Sequence, residues 1–299
     1  MDVMTTLAEE LERGTVVLDG GLATQLEATG HDLSDDLWSA RLLRDDPEAI
    51  VAAHLAFLRA GASVVTTASY QATIAGFARH GVDGVVALRS SVALAREACE
   101  RAGVDRPLWV AASVGPYGAM LADGSEYRGN YGLSVRELVR FHRDRMRILA
   151  DAGPDLLALE TVPDAVEAEA LLTCLDGLGI PAWLSFTIAD FRTRAGQPLA
   201  EAFGLAKGVD AVVAVGVNCC DPADVAPALR IATEVTGKPA VAYPNSGEGW
   251  DAEARQWTGA PAPIAEHAEA WRAAGARLIG GCCRVTPADI AQIAAHLRA

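Results

Sequence analysis

Gly208-Val209-Asp210-Ala211-Val212-Val213-Ala214-Val215-Gly216-Val217-Asn218-Cys219-Cys220 carries the pattern that decides the fold. A glycine closes a helical stretch, an apolar run follows from Ala211 to Val217, and the run leaves on polar and thiol-bearing residues. Continuous rather than alternating apolar character marks a strand buried on both faces, as in a parallel sheet. The unit recurs: Gly61 then Ser63 to Thr67, Gly103 then Leu108 to Val114, Gly153 then Leu156 to Glu160, and Gly179 then Ala182 to Phe186. Gly237 then Ala240 to Tyr243 and Gly275 then Leu278 to Gly280 follow, and with Val16 to Leu18 near the N-terminus eight buried strands are expected. The segments between them read as amphipathic helices, with start signals at Asp46-Pro47, at Ser134 to Glu137 and at Thr286-Pro287. Eight such units in 299 residues favour an α/β fold closed as a single (β/α)8 TIM-type barrel over an open doubly wound sheet. No low-complexity linker interrupts the chain, so residues 1–299 read as one domain.

Hydrophobic residues at 51% supply a sizeable core, and a formal net charge of -14 repels phosphate backbones and anionic headgroups. No Lys/Arg-rich run offers a local exception, so neither nucleic acid nor a membrane surface is an expected partner. Met1 to Gly14 lack the basic start and apolar run of a secretory signal, and no later stretch approaches spanning length. A cytoplasmic location is expected. Six cysteines are too sparse for a disulfide scaffold, and they are unevenly placed: Cys99 and Cys174 stand alone, whereas Cys219-Cys220 and Cys282-Cys283 are adjacent pairs. In a reducing compartment such pairs point to metal or catalysis.

In a barrel of this class the site lies at the C-terminal ends of the strands, so the exit residues carry the chemistry. The first strand exits at Asp19-Gly20-Gly21, the second at Thr66 to Tyr70, and the fourth at Glu160-Thr161. The sixth exits at Asn218-Cys219-Cys220, the seventh at Tyr243 to Glu248, and the eighth at Gly281-Cys282-Cys283. Three thiolates, one from the sixth strand and two from the eighth, suit zinc with one tetrahedral position left open. The competing reading makes these cysteines small buried hydrophobes. Adjacent residues on a strand point to opposite faces, so joint use of Cys282 and Cys283 needs a bend, which Gly280-Gly281 permits. The same alternation assigns Cys220 to packing if Cys219 faces the mouth. Cys99 and Cys174, in helical segments, read as core.

Asp19 and Glu160 suit an ammonium group, and exposed amides at Gly20 and Gly21 suit a carboxylate. The blander alternatives are a turn aspartate and a structural ion pair. The glycine pair lacks the Lys-Ser/Thr of a phosphate loop, and no histidine falls at a strand exit to serve a Ser-His-Asp arrangement.

These residues resemble the homocysteine S-methyltransferase family over nearly the whole chain. The matching stretches are Leu18-Asp19-Gly20-Gly21, Gly124-Ser125-Glu126-Tyr127-Arg128-Gly129-Asn130-Tyr131-Gly132, Glu160-Thr161, Gly216-Val217-Asn218-Cys219, Tyr243-Pro244-Asn245-Ser246-Gly247-Glu248 and Gly280-Gly281-Cys282-Cys283-Arg284. The resemblance implies a barrel with Zn2+ on Cys219, Cys282 and Cys283, and homocysteine recognition at Asp19, Gly20, Thr67 and Glu160. Gly21 and Asn218, at the same strand exits, are placed with the homocysteine site. The insert from Tyr117 to Gly132 and the compact length resemble enzymes that take a methyl group from S-methylmethionine or S-adenosylmethionine. Betaine-using relatives carry additional C-terminal sequence, and cobalamin-dependent ones carry further domains. A sulfonium donor needs aromatic faces and carboxylates around it. Tyr127, Tyr131, Trp250 and Asn245 are the donor-site candidates, with Glu126 and Glu248 near them in sequence; loop packing is the alternative role. The competing functions are a related methyltransferase with a selenol acceptor or betaine donor, and a thiol redox or metal-buffering protein. A homo-oligomer is allowed, although nothing in the sequence demands one.

Overall fold

The computed structural model describes residues 5–34, 37–251 and 256–298, and only the backbone of 249–251 and 256–257. Eight parallel strands form one sheet: β1 (Val16–Val17), β2 (Val64–Thr66), β3 (Trp109–Val114), β4 (Leu156–Val162), β5 (Ala182–Phe186), β6 (Val212–Asn218), β7 (Ala240–Tyr243) and β8 (Ala276–Ile279). They pair in chain order from β2 to β8, and β8 pairs with β1. The two ends then meet. Leu18 bridges Val64, Ser63 N–H donates to Val17 O at 2.8 Å, and Asp19 N–H donates to Val64 O at 3.0 Å. The sheet is therefore a closed barrel, as the strand count led one to expect. Its first strand is shorter than expected because Leu18 joins by a bridge alone, and its last begins earlier, at Ala276.

Each strand segregates its side chains by twos. One phase packs outward against the helices; the other fills the barrel with Val64, Trp109, Ala111, Leu156, Ala158, Trp183 and Leu278. The helix Leu7–Arg13, started by a Thr6/Glu9 capping box, adds Leu7 and Leu11 to this interior, and Trp109 Nε1 donates to Thr5 O at 3.2 Å. The N-terminal mouth is thereby plugged. Following the interior phase toward the other mouth, Val64 leads to Thr66, Ala111 to Ser113, Ala158 to Glu160, Trp183 to Ser185, and Ala214 through Gly216 to Asn218. The top layer of the barrel is polar for that reason. Gly216 is fixed by close approach: a Cβ there would lie 1.9 Å from Val241 O on the neighbouring strand.

Helix starts follow the sequence signals. Asp46 accepts from Ala49 N–H at 3.2 Å and starts Pro47–Ala60, and Ser134 with Glu137 forms a full capping box on Val135–Asp151. Thr286 and Asp289 do the same for Pro287–Arg298. At the C-terminal mouth, the insert after β3 forms a short helix Tyr117–Leu121 and a 3-10 turn Ser125–Tyr127. A hairpin of Ile188–Ala189 and Arg192–Thr193 follows β5, and one of Gly249–Asp251 and Gln256–Thr258 follows β7. Among the described residues no helix is long and apolar enough to cross a membrane.

Candidate active site

Asn218 ends β6 pointing into the barrel, where it bonds to Ser185 and Thr161. Simple alternation would next send Cys219 outward. Cys219 instead takes a left-handed backbone, φ +49°, which turns its thiol into the mouth and delivers Cys220 to the apolar layer under the helices. The separation of the two thiols expected from the sequence is present, but a kink produces it. Beyond β8, Gly280 N–H donates to Ala242 O at 2.9 Å, Gly281 N–H to Asp19 O at 3.0 Å and Cys282 N–H to Pro244 O at 2.7 Å. A turn closes with Val285 N–H on Cys282 O at 3.2 Å. The expected bend is there, and its glycines serve close packing: a Cβ on Gly281 would lie 2.2 Å from Val285 Cγ1, while the left-handed residue is Arg284, φ +66°.

These two turns bring three sulfurs together. Cys219 Sγ lies 2.6 Å from Cys282 Sγ and 3.9 Å from Cys283 Sγ, and all three fall within 4.8 Å of one another. Cys283 N–H donates to Asn245 Oδ1 at 3.2 Å, and Asn245 N–H to Cys220 O at 3.0 Å, so the β7 exit holds the two thiol-bearing turns in register. Hydrogen bonds from Cys219 and Cys282 hold the Cys283 thiol well below the ordinary range, whereas proton sharing with Cys219 and Cys283, and burial, push Cys282 well above it. Three sulfurs this close repel one another when ionised together. A divalent cation that prefers sulfur offsets that repulsion, so the donor set, with its three sulfurs within 4.8 Å of one another, fits zinc with three ligands and one position free. The Tyr127 hydroxyl stands 3.8 Å from Cys219 Sγ.

Two carboxylates stand in the polar layer beside the sulfurs. Asp19 accepts from Thr66 N–H at 2.7 Å and from Thr66 Oγ1 at 3.1 Å, and burial pushes it up to about 8. Glu160 accepts from the Ser113 hydroxyl, and burial pushes it up to about 7. Both are costly to ionise where they stand, which is the condition in which an incoming ammonium group is worth most. Thr67, expected at the homocysteine site, bonds through Oγ1 to Ser69 Oγ at 2.7 Å and to Ser113 N–H at 3.0 Å. It braces the β2 and β3 exits, and the threonine on Asp19 is Thr66. Asn218 accepts from Thr161 N–H at 2.7 Å and from Ser185 Oγ at 2.8 Å, and donates to Thr161 Oγ1 at 2.7 Å. It is fully buried and fixes Thr161, φ +56°, immediately after Glu160. Gly21 N–H is taken by Val285 O at 2.9 Å, whereas Gly20 N–H has no protein acceptor among the described residues. A Cβ on Gly20 would lie 2.6 Å from Val285 O.

Of the expected donor-site residues, Tyr127 reaches the sulfurs, and the Arg194 guanidinium stands 6.0 Å from its ring centroid. Tyr131 packs edge-on to Tyr117, with centroids 5.3 Å apart, and its hydroxyl is buried without a partner. Asn245 braces Cys283. Trp250 lies in the hairpin after β7, and its side chain is outside the described residues. Glu248 is clasped by Arg284 at 3.1 Å and Ser246 at 2.8 Å, and Arg284 holds its carboxyl below the usual range. Glu126 has neither kind of partner, and burial pushes it up to about 7.

Sequence reasoning passes over the supports of the insert: Arg145 and Glu167 lie on helices, and Asp164, two residues beyond β4, carries the signal of a helix cap alone. Buried Arg145 donates to Gly115 O at 2.9 Å, Ser69 O at 3.0 Å and Tyr70 O at 2.7 Å, tying the β2 and β3 exits together. Glu167 accepts from Tyr117 N–H at 2.6 Å and meets His142 Nε2 at 2.8 Å, and Asp164 accepts from Asn130 N–H at 3.0 Å. Only Thr66, Ser113 and Ser185 had a readable signal, the strand alternation itself.

Residues 16–297 match the family model described as homocysteine S-methyltransferase. The chain is 48% identical to the homocysteine S-methyltransferase of Escherichia coli (strain K12), covering 94% of each sequence. It is 43% identical to homocysteine S-methyltransferase YbgG of Bacillus subtilis (strain 168), covering 95% of this chain and 94% of that one. Among solved structures, the metallated form of the homocysteine methyltransferase MmuM from Escherichia coli superposes with a TM-score of 0.85 at 46% identity, over 94% of this chain and 96% of that one.

Proposed function

The chain belongs to the homocysteine S-methyltransferase family, and from that premise we propose that it moves a methyl group from a sulfonium donor, S-methylmethionine or S-adenosylmethionine, to the thiol of homocysteine, giving methionine. The observation that carries the reading is the convergence of Cys219, Cys282 and Cys283 within 4.8 Å beside two buried carboxylates at one barrel mouth. The whole chain acts as one homocysteine-binding barrel domain, and its acidic surface and unpaired cysteines suit the cytoplasm.

Asp19 and Glu160 receive the substrate's ammonium group, and Gly20 N–H receives its carboxylate. That places the thiol toward the three sulfurs. A zinc ion held by Cys219, Cys282 and Cys283 would supply the Lewis acidity that keeps the substrate thiol ionised at neutral pH. Tyr127, its hydroxyl 3.8 Å from Cys219 Sγ, brings the insert over the sulfurs, the side from which the donor approaches. In the transfer, the donor's sulfur–methyl bond breaks with its electron pair kept by that sulfur, which becomes a neutral thioether. The new bond forms to the homocysteine sulfur, whose proton has gone to solvent. Ionising a thiol of pKa about 8.5 at pH 7 supplies only about 2 kcal/mol. Holding nucleophile and methyl carbon in line supplies more, about 7 to 11 kcal/mol in the best-oriented cases. Positioning therefore carries the rate.

The test is a methyl-transfer assay with homocysteine and a panel of sulfonium and betaine donors, with and without a chelator. Chelator-sensitive methionine formation from a sulfonium is expected. Metal-replete protein that forms none from any donor overturns the reading.

A further inference from the structure

We propose that Glu126 selects the donor by its positive charge, with its carboxylate turned to the sulfonium centre beside Tyr127 and the Cys219 sulfur. The assignment rests on the methyl-transfer reading and adds the residue that recognises the charge on the donor. Its position is fixed by the turn that carries Tyr127. Gly124, φ +78°, starts the 3-10 turn Ser125–Tyr127, and Gly118 packs beneath it so closely that a Cβ there would lie 2.4 Å from Glu126 N. With the Tyr127 hydroxyl 3.8 Å from Cys219 Sγ, the preceding carboxylate is held at the same mouth, close enough for its charge to act on Cys219 and Tyr70.

Among the described residues, the other carboxylates placed at this mouth have partners. Asp19 is bonded by Thr66, Glu160 by Ser113, and Glu248 by Arg284 and Ser246. Glu126 Oε2 is shielded from solvent and has no hydrogen-bond donor, and the exposed Arg128 forms no ion pair with it. The Tyr70 hydroxyl is likewise buried without a partner. A carboxylate oxygen shielded from water without a hydrogen bond is costly, and a cation arriving with the substrate reduces that cost where a neutral molecule does not. A sulfonium centre has no N–H or O–H to donate, so charge and an aromatic face are its only handles. Tyr127 brings an aromatic ring to the same mouth, and the Arg194 guanidinium stands 6.0 Å from its centroid, at the outer limit of cation–π contact.

The test compares wild type, Glu126→Gln and Glu126→Asp, each checked for zinc content and for KM of homocysteine. S-methylmethionine is the donor, and ethionine, which keeps the amino acid but has a neutral thioether sulfur, is the competing ligand. Glu126→Gln is expected to raise KM for S-methylmethionine about ten- to a hundredfold, with zinc content unchanged and Ki for ethionine moved by less than about twofold. Glu126→Asp should recover part of the loss. An unchanged KM for S-methylmethionine in an active Glu126→Gln protein overturns the assignment, as does an equal rise for both ligands. A wild type that makes no methionine from any sulfonium fails the functional reading and takes this assignment with it.

Discussion

Replacing Asp19 by Asn should make the protein more stable and less able to bind homocysteine, and the stability gain should grow with pH. Burial raises Asp19 from an ordinary 3.8 to about 8. Between those values the unfolded chain has released the proton and the folded chain keeps it, so folding takes up a proton and stability falls as pH rises. The stability is fully present below about pH 4 and is lost progressively until about pH 8, with a slope of about 1.4 kcal/mol per pH unit and a total of about 6 kcal/mol. Asparagine has no proton to lose and keeps both contacts, its oxygen accepting from Thr66 N–H and its amide donating to Thr66 Oγ1. Urea unfolding of both proteins from pH 4 to 9, at matched metal content, should give stability curves that diverge with pH. Saturating homocysteine should narrow the gap at pH 7.5 by pairing its ammonium with the carboxylate, while KM for homocysteine in Asp19→Asn rises at least about tenfold. Parallel curves, or a gap unaffected by homocysteine, would refute the reasoning.

Cys219→Ala, Cys282→Ala and Cys283→Ala should each lose bound zinc and methyl transfer, whereas Cys220→Ala should keep one zinc per chain; elemental analysis and the transfer assay separate them. Gly216→Ala should destabilise the fold by about 3 kcal/mol or more, because its Cβ would lie 1.9 Å from Val241 O and force β6 from β7; thermal unfolding measures it. Asn218→Ala leaves Thr161 N–H, Thr161 Oγ1 and Ser185 Oγ without their partner in a fully buried layer. It should cost about 3 to 5 kcal/mol in urea unfolding and raise KM for homocysteine through Glu160, with little change in zinc content.

The barrel was legible in the sequence because buried parallel strands write themselves as unbroken apolar runs, and eight of them with helices between leave few other architectures. The location of the chemistry followed, since strand exits are local in sequence. Cys219, Cys282, Cys283, Asp19 and Glu160 could be named from those exits, and the family resemblance tied them to homocysteine and zinc. Only the tertiary structure decided how they meet. Whether Cys219 or Cys220 enters the mouth depends on one left-handed residue, and which of Thr66 and Thr67 bonds to Asp19 depends on which side chain the barrel turns inward. Arg145 and Glu167 from helices, and Asp164 from the loop after β4, hold the mouth together through carbonyls and amides tens of residues away. Glu126 and Glu248 look alike as letters, and they differ because Glu248 has a guanidinium clasped to it and Glu126 keeps one oxygen shielded from water without a hydrogen bond. Periodicity and composition are properties of the chain and survive in its sequence. Partnership between groups far apart in the chain, and the charge states it sets, comes into being only when folding brings them together.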